Sequence, residues 1–169
     1  PLPAPFPFPP CADRIIAKGW NYPNTISKSV KINVAGKAVK VHPKLESAIA
    51  WSFGIDKEID VYNFDTGEVM CQLKGHTAGI NYVIYNKDGS RIVTGSKDNS
   101  IRIWDSTTGE ELNKLTRRGF ASVGFNGNLF ISHDNKSILV IGLEGPTGAT
   151  PTQIWDLETK RPQNIYTEN

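Results

Sequence analysis

The sequence predicts an all-β chain of about three four-stranded antiparallel units, and three observations carry that expectation. First, "VHPKLESAIAWS" (41–52), "YNKDGSRIVTGS" (85–96) and "ISHDNKSILVIG" (131–142) each place a polar turn before an apolar strand rich in β-branched residues. Second, each is followed by another strand ending in an aromatic-Asp pair: Phe64-Asp65, Trp104-Asp105 and Trp155-Asp156. Third, Asp65 and Asp105 are 40 residues apart, close to the roughly 40 to 45 residues that one four-stranded repeat needs.

The whole chain sets the limits within which those units fold. Its 169 residues, 38% of them hydrophobic, suit one ordinary domain with a core, and a mean hydropathy of −0.33 argues against disorder. With 19 Lys and Arg against 17 Asp and Glu, a net charge of +2 is too mild for a nucleic-acid surface, and Arg117-Arg118 is the one basic pair of note. Cys11 and Cys71 stand far apart and in no CxxC pair, which points away from a disulfide framework or a zinc site and toward a reducing compartment. No apolar run approaches the roughly 20 residues of a membrane helix, and the start lacks the features of a signal peptide. A cytoplasmic or nuclear protein is the expectation, so the sequon Asn135-Lys136-Ser137 reads as unglycosylated.

Taken in order, residues 1–10, "PLPAPFPFPP", alternate proline with apolar residues and lack the backbone donors of helix or sheet. They read as an extended arm or linker, with a ligand for an aromatic-lined groove as the alternative. Residues 11–35 form a lead-in with room for one or two strands. The repeat units follow at about 36–74, 75–116 and 117–166. In the first two, "DTGEVMCQLKG" and "DSTTGEELNKL" share a Thr-Gly-Glu turn that reverses the chain into a fourth strand.

The middle unit is specific enough to suggest a family. "GHTAGINYVIYNKDGSRIVTGSKDNSIRIWDSTTGEEL", Gly75 to Leu112, resembles a complete repeat of the WD-repeat (WD40) family, and the outer units register with it over roughly residues 36 to 166. The resemblance implies a β-propeller of WD40 type with about three blades, an incomplete ring. It also implies a structural hydrogen-bonded tetrad of His76, Thr94, Asp98 and Trp104, with Ser96 the rival for the place of Thr94. Buried imidazole, carboxylate, hydroxyl and indole N–H must in any case satisfy one another, and a satisfied network rigidifies its surroundings. Arg118 stands where the middle unit has His76, and no Gly-His precedes the first unit, so neither outer unit is expected to carry the full tetrad.

The third unit is longer than the second, since Trp104 and Trp155 are 51 residues apart. The excess falls mainly before its first strand and between its second and third strands, two connections that open on the same edge of a meander. That edge is expected to carry Arg117, Arg118 and Phe120 from one loop and Glu144 to Thr150, Thr147 included, from the other. Arg and aromatic side chains on scaffolded loops are typical of contact hot spots, while a solvated, variable loop pair is the plainer alternative. The resemblance adds Lys97, before the turn Asp, and Asn81, near the start of the first strand. His42 and His133, in the turns between first and second strands, are expected to be solvated.

These features point to a non-catalytic scaffold or adaptor presenting a propeller face to a protein or peptide partner, with no cofactor and no metal. The alternatives are a propeller-type hydrolase, or weak nucleic-acid binding through Arg117 and Arg118. Three units are too few to close a ring, so the remaining blades are expected from a longer chain or another copy.

Overall fold

The computed structural model describes residues 14–18, 27–31, 37–44, 46–116, 129–141, 144–145, 148–149 and 152–164, and every regular element among them is a strand. The arm at 1–10 lies outside the described residues. Strands β1 (Arg14–Lys18) and β2 (Ser27–Lys31) pair with each other, antiparallel. Three four-stranded antiparallel meanders follow. The first comprises β3 (Ala38–Val41), β4 (Ser47–Trp51), β5 (Ile59–Asn63) and β6 (Val69–Leu73). The middle one comprises β7 (Ile80–Tyr85), β8 (Arg91–Ser96), β9 (Ser100–Asp105) and β10 (Glu111–Thr116). The third comprises β11 (Leu129–Ile131), β12 (Ser137–Val140), β15 (Gln153–Asp156) and β16 (Pro162–Asn164). Between β12 and β15 lies a small pair, β13 (Glu144–Gly145) with β14 (Gly148–Ala149).

Turn chemistry sets the equivalence of the three sheets. Between the third and fourth strands of the middle sheet, Asp105 Oδ1 accepts from the N–H groups of Thr107 and Thr108, both at 2.9 Å, and Gly109 closes the turn in a left-handed conformation. Asn63 Oδ1 does the same for Asp65 and Thr66 in the first sheet, with Gly67 left-handed, and Asp156 does so for Glu158 and Thr159 in the third, with Lys160 left-handed. Strand register agrees: Tyr62 faces Ala48, Trp104 faces Ile92 and Trp155 faces Ile138. The aromatic-polar pair of the first sheet is therefore Tyr62-Asn63, and the sequence alignment through Phe64-Asp65 is two residues out of step. An asparagine that accepts the same two bonds as Asp105 occupies the position where an aspartate is expected. Phe64, one residue into the turn, is fully buried beside Ala48.

The sheets bury their apolar faces against one another. Ile49, Trp51, Ile59, Val61 and Leu73 of the first sheet pack on Ile80, Val83, Ile92 and Trp104 of the middle sheet. Val93, Ile101, Ile103 and Leu115 on the opposite face of the middle sheet pack on Leu129, Ile138, Val140 and Trp155 of the third. β8 and β9 are consequently buried on both faces, which is why "RIVTG" and "SIRIW" do not alternate cleanly between apolar and polar. Polar contacts add to each junction. Ser47 and Tyr85 share a hydroxyl hydrogen bond of 2.9 Å, Tyr82 O–H donates to Leu129 O at 3.1 Å, and Asn86 Nδ2–H donates to Asn135 Oδ1 at 2.6 Å.

His42 departs from its expected exposure. It is buried, edge-on to Tyr85 at a centroid distance of 5.2 Å, because Gly89 in the neighbouring turn leaves room for the ring: a Cβ there would lie 1.9 Å from His42 Nε2. Burial pushes its pKa below the ordinary value, although Glu46 pulls the other way. His133 is exposed.

The junction between the first and middle sheets is closest at Gly79, where an added Cβ would lie 2.0 Å from the carbonyl oxygen of Gly54. That atom belongs to a backbone pinned by bonds from Gly54 N–H to Ile80 O and from Ile80 N–H to Asp56 O. Gly79→Ala is expected to lower stability by about 1 to 3 kcal/mol through overpacking. A chemical denaturation curve superimposable on that of the parent chain would contradict this packing.

Candidate functional site

The middle sheet brings His76, Thr94, Asp98 and Trp104 into one hydrogen-bonded chain. Trp104 Nε1–H donates to Thr94 Oγ1 at 2.9 Å, and Thr94 Oγ1 lies 2.7 Å from His76 Nε2. His76 Nδ1 lies 2.8 Å from Asp98 Oδ2. An ionised carboxylate only accepts, so Nδ1 carries the proton, and Nε2 accepts from the threonine hydroxyl. Neutral His76 thus satisfies every partner in the chain. The strands explain the placement: Thr94 on β8 and Trp104 on β9 point to the same face of the sheet, and Asp98 sits in the turn joining those strands. Ser96 does not take the place of Thr94. Its hydroxyl bonds the carbonyls of Ala78 and Gly79 and receives the Asp98 N–H.

Sequence reasoning missed one member of this cluster. Ser100 Oγ–H donates to Asp98 Oδ1 at 2.6 Å, and Ser100 N–H donates to the same oxygen at 2.9 Å. The signal was available, because Asp followed two residues later by Ser is the pattern of a turn whose carboxylate accepts from that residue. Arg102 supports the cluster from the side: it pairs with Glu111 and lies 6.0 Å from the centroid of the Trp104 ring. Gly75 leaves room for that guanidinium, since a Cβ there would come within 2.3 Å of it.

The electrostatics follow from this geometry. Burial is the largest influence on Asp98 and pushes its pKa up, but the bonds from Ser100, His76 and Thr77 N–H together outweigh it and hold the carboxyl at about 2. Burial dominates at His76 and keeps its pKa below the ordinary value despite the Asp98 carboxylate. The set Ser100, His76 and Asp98 has the residue types of a hydrolytic triad, yet His76 and Ser100 are buried and the serine proton already bonds the carboxylate. A substrate carbonyl has no access to that hydroxyl, so the arrangement is a closed structural network.

The outer sheets differ at equivalent positions. Ala50 and Val140 stand where the middle sheet has Thr94, and neither can join an indole to an imidazole. Trp155 Nε1–H donates instead to Gln153 Oε1 at 3.2 Å, and Tyr62 O–H to Asp60 Oδ2 at 3.4 Å. Among the described residues, no three His, Cys, Asp or Glu side chains converge as metal ligands would, and no helix is long and apolar enough to cross a membrane.

The edge that carries the loop before each first strand and the turn between second and third strands is partly described. In the third sheet Leu129, Val140 and Gln153 register side by side, so the connections 117–128 and 141–152 leave from one edge. Arg117, Arg118, Phe120 and Thr147 lie outside the described residues. Glu144 lies in β13, opposite Ala149. Lys97 is exposed at the corresponding edge of the middle sheet, where its ammonium donates to Gly54 O at 3.0 Å. Asn81, expected on the contact surface, is only 1% exposed: its Oδ1 is packed against Gly54 at the junction between sheets, so the side chain is not available to a partner. The same edge exposes Phe53 (43%) and Ile55 (75%), apolar residues of the Ser52–Asp56 turn that sequence reasoning passed over. That turn is held by Ser52 N–H on Asp56 Oδ2 and by Ile55 and Asp56 N–H on Ser52 O.

Comparison with known proteins adds an independent line. Residues 67–105 match the family described as WD domain, G-beta repeat. The chain is 31% identical over 83 residues to the serine-threonine kinase receptor-associated protein of Gallus gallus, a match covering 49% of this chain and 23% of that protein. It is 30% identical over 105 residues to the small ribosomal subunit protein RACK1y of Oryza sativa subsp. japonica, covering 62% of this chain and 28% of the other. A match to the pre-mRNA-processing factor 19 of Caenorhabditis elegans is 37% identical over 54 residues, 32% of this chain and 11% of that protein. The chain thus spans less than a third of the length of these relatives.

Two outcomes are expected of the network. Asp98→Ala leaves His76 and Ser100 without their shared acceptor and should cost about 1 to 3 kcal/mol, read as a lower thermal midpoint. An unchanged midpoint would show that the bonds contribute nothing. Both His76 and Asp98 have lowered pKa values when folded, so each binds protons more readily when unfolded, and their stabilisation is complete only above their ordinary values of 6.5 and 3.8. Melting midpoints should therefore fall as pH drops below 6.5, and fall again between 3.8 and about 2. In Asp98→Ala the second decline should shrink.

Proposed function

We propose that this chain, whose residues 67–105 are a WD repeat and whose three sheets are blades of that type, is a non-catalytic interaction scaffold. It presents one propeller edge to a protein or peptide partner. The observation that carries the reading is the way the middle and first blades lock that edge. Gly54 and Asp56 are joined backbone to backbone with Ile80, Lys97 N–H donates to Gly79 O and its ammonium ties across to Gly54 O, and the buried network holds the Asp98 turn beneath them. A rigid edge from which Phe53 and Ile55 project loses little entropy on binding.

The insertions of the third blade belong to the same kind of edge. Arg117, Arg118, Phe120, Glu144, Thr147 and Lys97 are the residues proposed to meet the partner, with Asn81 supporting from within. The names of the rice and nematode relatives, a ribosomal subunit protein and a pre-mRNA-processing factor, describe components of assemblies, which fits an adaptor in the cytoplasm or nucleus. Hydrolysis finds no support at the Ser100, His76 and Asp98 set, which is sealed inside the middle blade.

The test is charge reversal of the paired arginines. Arg117→Glu together with Arg118→Glu should reduce the yield of specifically captured proteins in an affinity pull-down while leaving the unfolding free energy within about 0.5 kcal/mol of the parent, as for ordinary surface changes. Equal capture by parent and variant would remove this edge as the contact surface.

A further inference from the structure

The turns that join the first two strands of each sheet are built alike. His42, Asn86 and Ser132 each close one of them with a backbone N–H, donated to the carbonyl oxygens of Ser47, Arg91 and Ser137. In the middle and third sheets the carbonyl of that closing residue also accepts from a residue in the left-handed conformation, Gly89 and Asn135 respectively. Both junctions between sheets use this pair of positions, because the side chain of the closing residue in one sheet meets the left-handed residue of the next. Between the middle and third sheets the pair is Asn86 with Asn135, amide on amide at 2.6 Å. Between the first and middle sheets it is His42 with Gly89, where a Cβ would lie 1.9 Å from the ring Nε2. One rim is therefore closed by groups that do not titrate, and the other by the side chain that titrates near neutral pH.

Both ring nitrogens of His42 are committed in its neutral state. Nδ1 accepts the backbone N–H of Lys44 at 3.1 Å, so the proton sits on Nε2, which faces Gly89 and lies 3.7 Å from the Glu46 carboxylate. Tyr85 stands edge-on to the ring, with its own hydroxyl held by Ser47. The charged groups around the ring are Lys44 and Glu46 from its own hairpin and Asp88 from the turn of the middle sheet. Glu46, the Gly89 backbone and Asp88 favour the imidazolium, while Lys44 opposes it. The Glu46 side chain is 65% exposed, so water screens much of its pull, and burial of the ring outweighs the carboxylates. A second proton has to go on Nδ1, where it sets donor against donor with the Lys44 N–H. The ring leaves its seat to relieve that conflict, and the turn bond and the contact with Gly89 are lost together because one ring makes both.

We propose that His42 is a pH-operated latch between the first and middle sheets, whose neutral ring holds that rim closed and whose protonation releases it while the Asn86–Asn135 rim stays shut. The latch lies at the ends of β4 and β8 away from the loop edge proposed for partners, and its test does not depend on that reading. The sign follows from burial. A closed rim takes up the second proton less readily than an open one, so opening is favoured as pH falls below the ordinary histidine value of 6.5.

The experiment is amide hydrogen exchange on the purified chain, resolved by residue with nuclear magnetic resonance and corrected for the intrinsic effect of pH, between about pH 8 and about pH 5, the span in which histidines titrate. Protection of the His42, Lys44 and Gly89 amides should fall by up to about tenfold for each pH unit below 6.5, while that of Ser132 and Asn135 holds. His42→Gln keeps an acceptor and takes up no proton, and should abolish the fall. His42→Asn combined with Gly89→Asn rebuilds the amide pair of the other junction, asparagine being tolerated in the left-handed conformation, and should abolish it as well. Acid loosening through His76 would instead register at the Thr77 and Ser100 amides, which bond Asp98, and would survive both changes. Equal loss of protection at the two rims of the parent chain would overturn the proposal. So would a fall at the His42 rim that persists undiminished in either variant.

Discussion

Each four-stranded sheet of this protein is apolar on at least one face and too thin to bury that face by itself, so most of its core lies where a neighbouring sheet packs across it. The two principal clusters are both shared between sheets: Ile49 and Val61 meet Ile92 and Trp104, and Val93 and Ile103 meet Ile138 and Trp155. Every other feature is arranged around that dependence. Glycines sit where backbones or rings of adjacent sheets approach, as Gly79 does against Gly54 and Gly89 against His42. Side-chain bonds join neighbouring turns at the rim, as between Asn86 and Asn135.

The buried network of the middle sheet serves the same end on a smaller scale. The Asp98 carboxylate accepts from three residues, His76, Ser100 and Thr77, and the aspartate's own N–H donates to the Ser96 hydroxyl. The network therefore ties the lead-in segment at His76 and Thr77 to the turn between β8 and β9 and, through Thr94 and Trp104, to the interior of the sheet. Its outer neighbours manage without it. Their replacements, Ala50 in the first sheet and Val140 in the third, are apolar residues in the place of Thr94 and leave no buried hydroxyl to satisfy. The loop edge proposed for binding is thus most firmly held at the middle sheet and its junction with the first.

Much of the local structure was legible in the residues. The polar turn followed by a β-rich strand marked β4, β8 and β12, and the types His76, Thr94, Asp98 and Trp104 in one repeat marked a set that has to be satisfied together. The alignment of the first repeat was not legible through its Asp. Phe64-Asp65 has the expected letters, but the side chain that accepts the turn N–H groups is Asn63, because the left-handed Gly67 lies four residues after it, as Gly109 does after Asp105. A rule based on turn chemistry would have found it, whereas a rule based on the aromatic-Asp pair did not.

The sequence by itself determined the all-β class, the number of strands in each repeat and the turns that join them. These depend on alternation and on hydrogen bonds reaching two to five residues, which the chain order specifies directly. Only the tertiary structure decided which side chains are covered. Asn81 and His42 look like surface residues in the chain order and are buried, because Gly54 and Gly89 of the neighbouring sheets leave space for them. Phe130 and Ile154 look like core and are exposed. Burial depends on what stands across a face, and those contacts join residues 20 to 50 positions apart, such as His76 with Asp98 and Asn86 with Asn135. No local pattern encodes them.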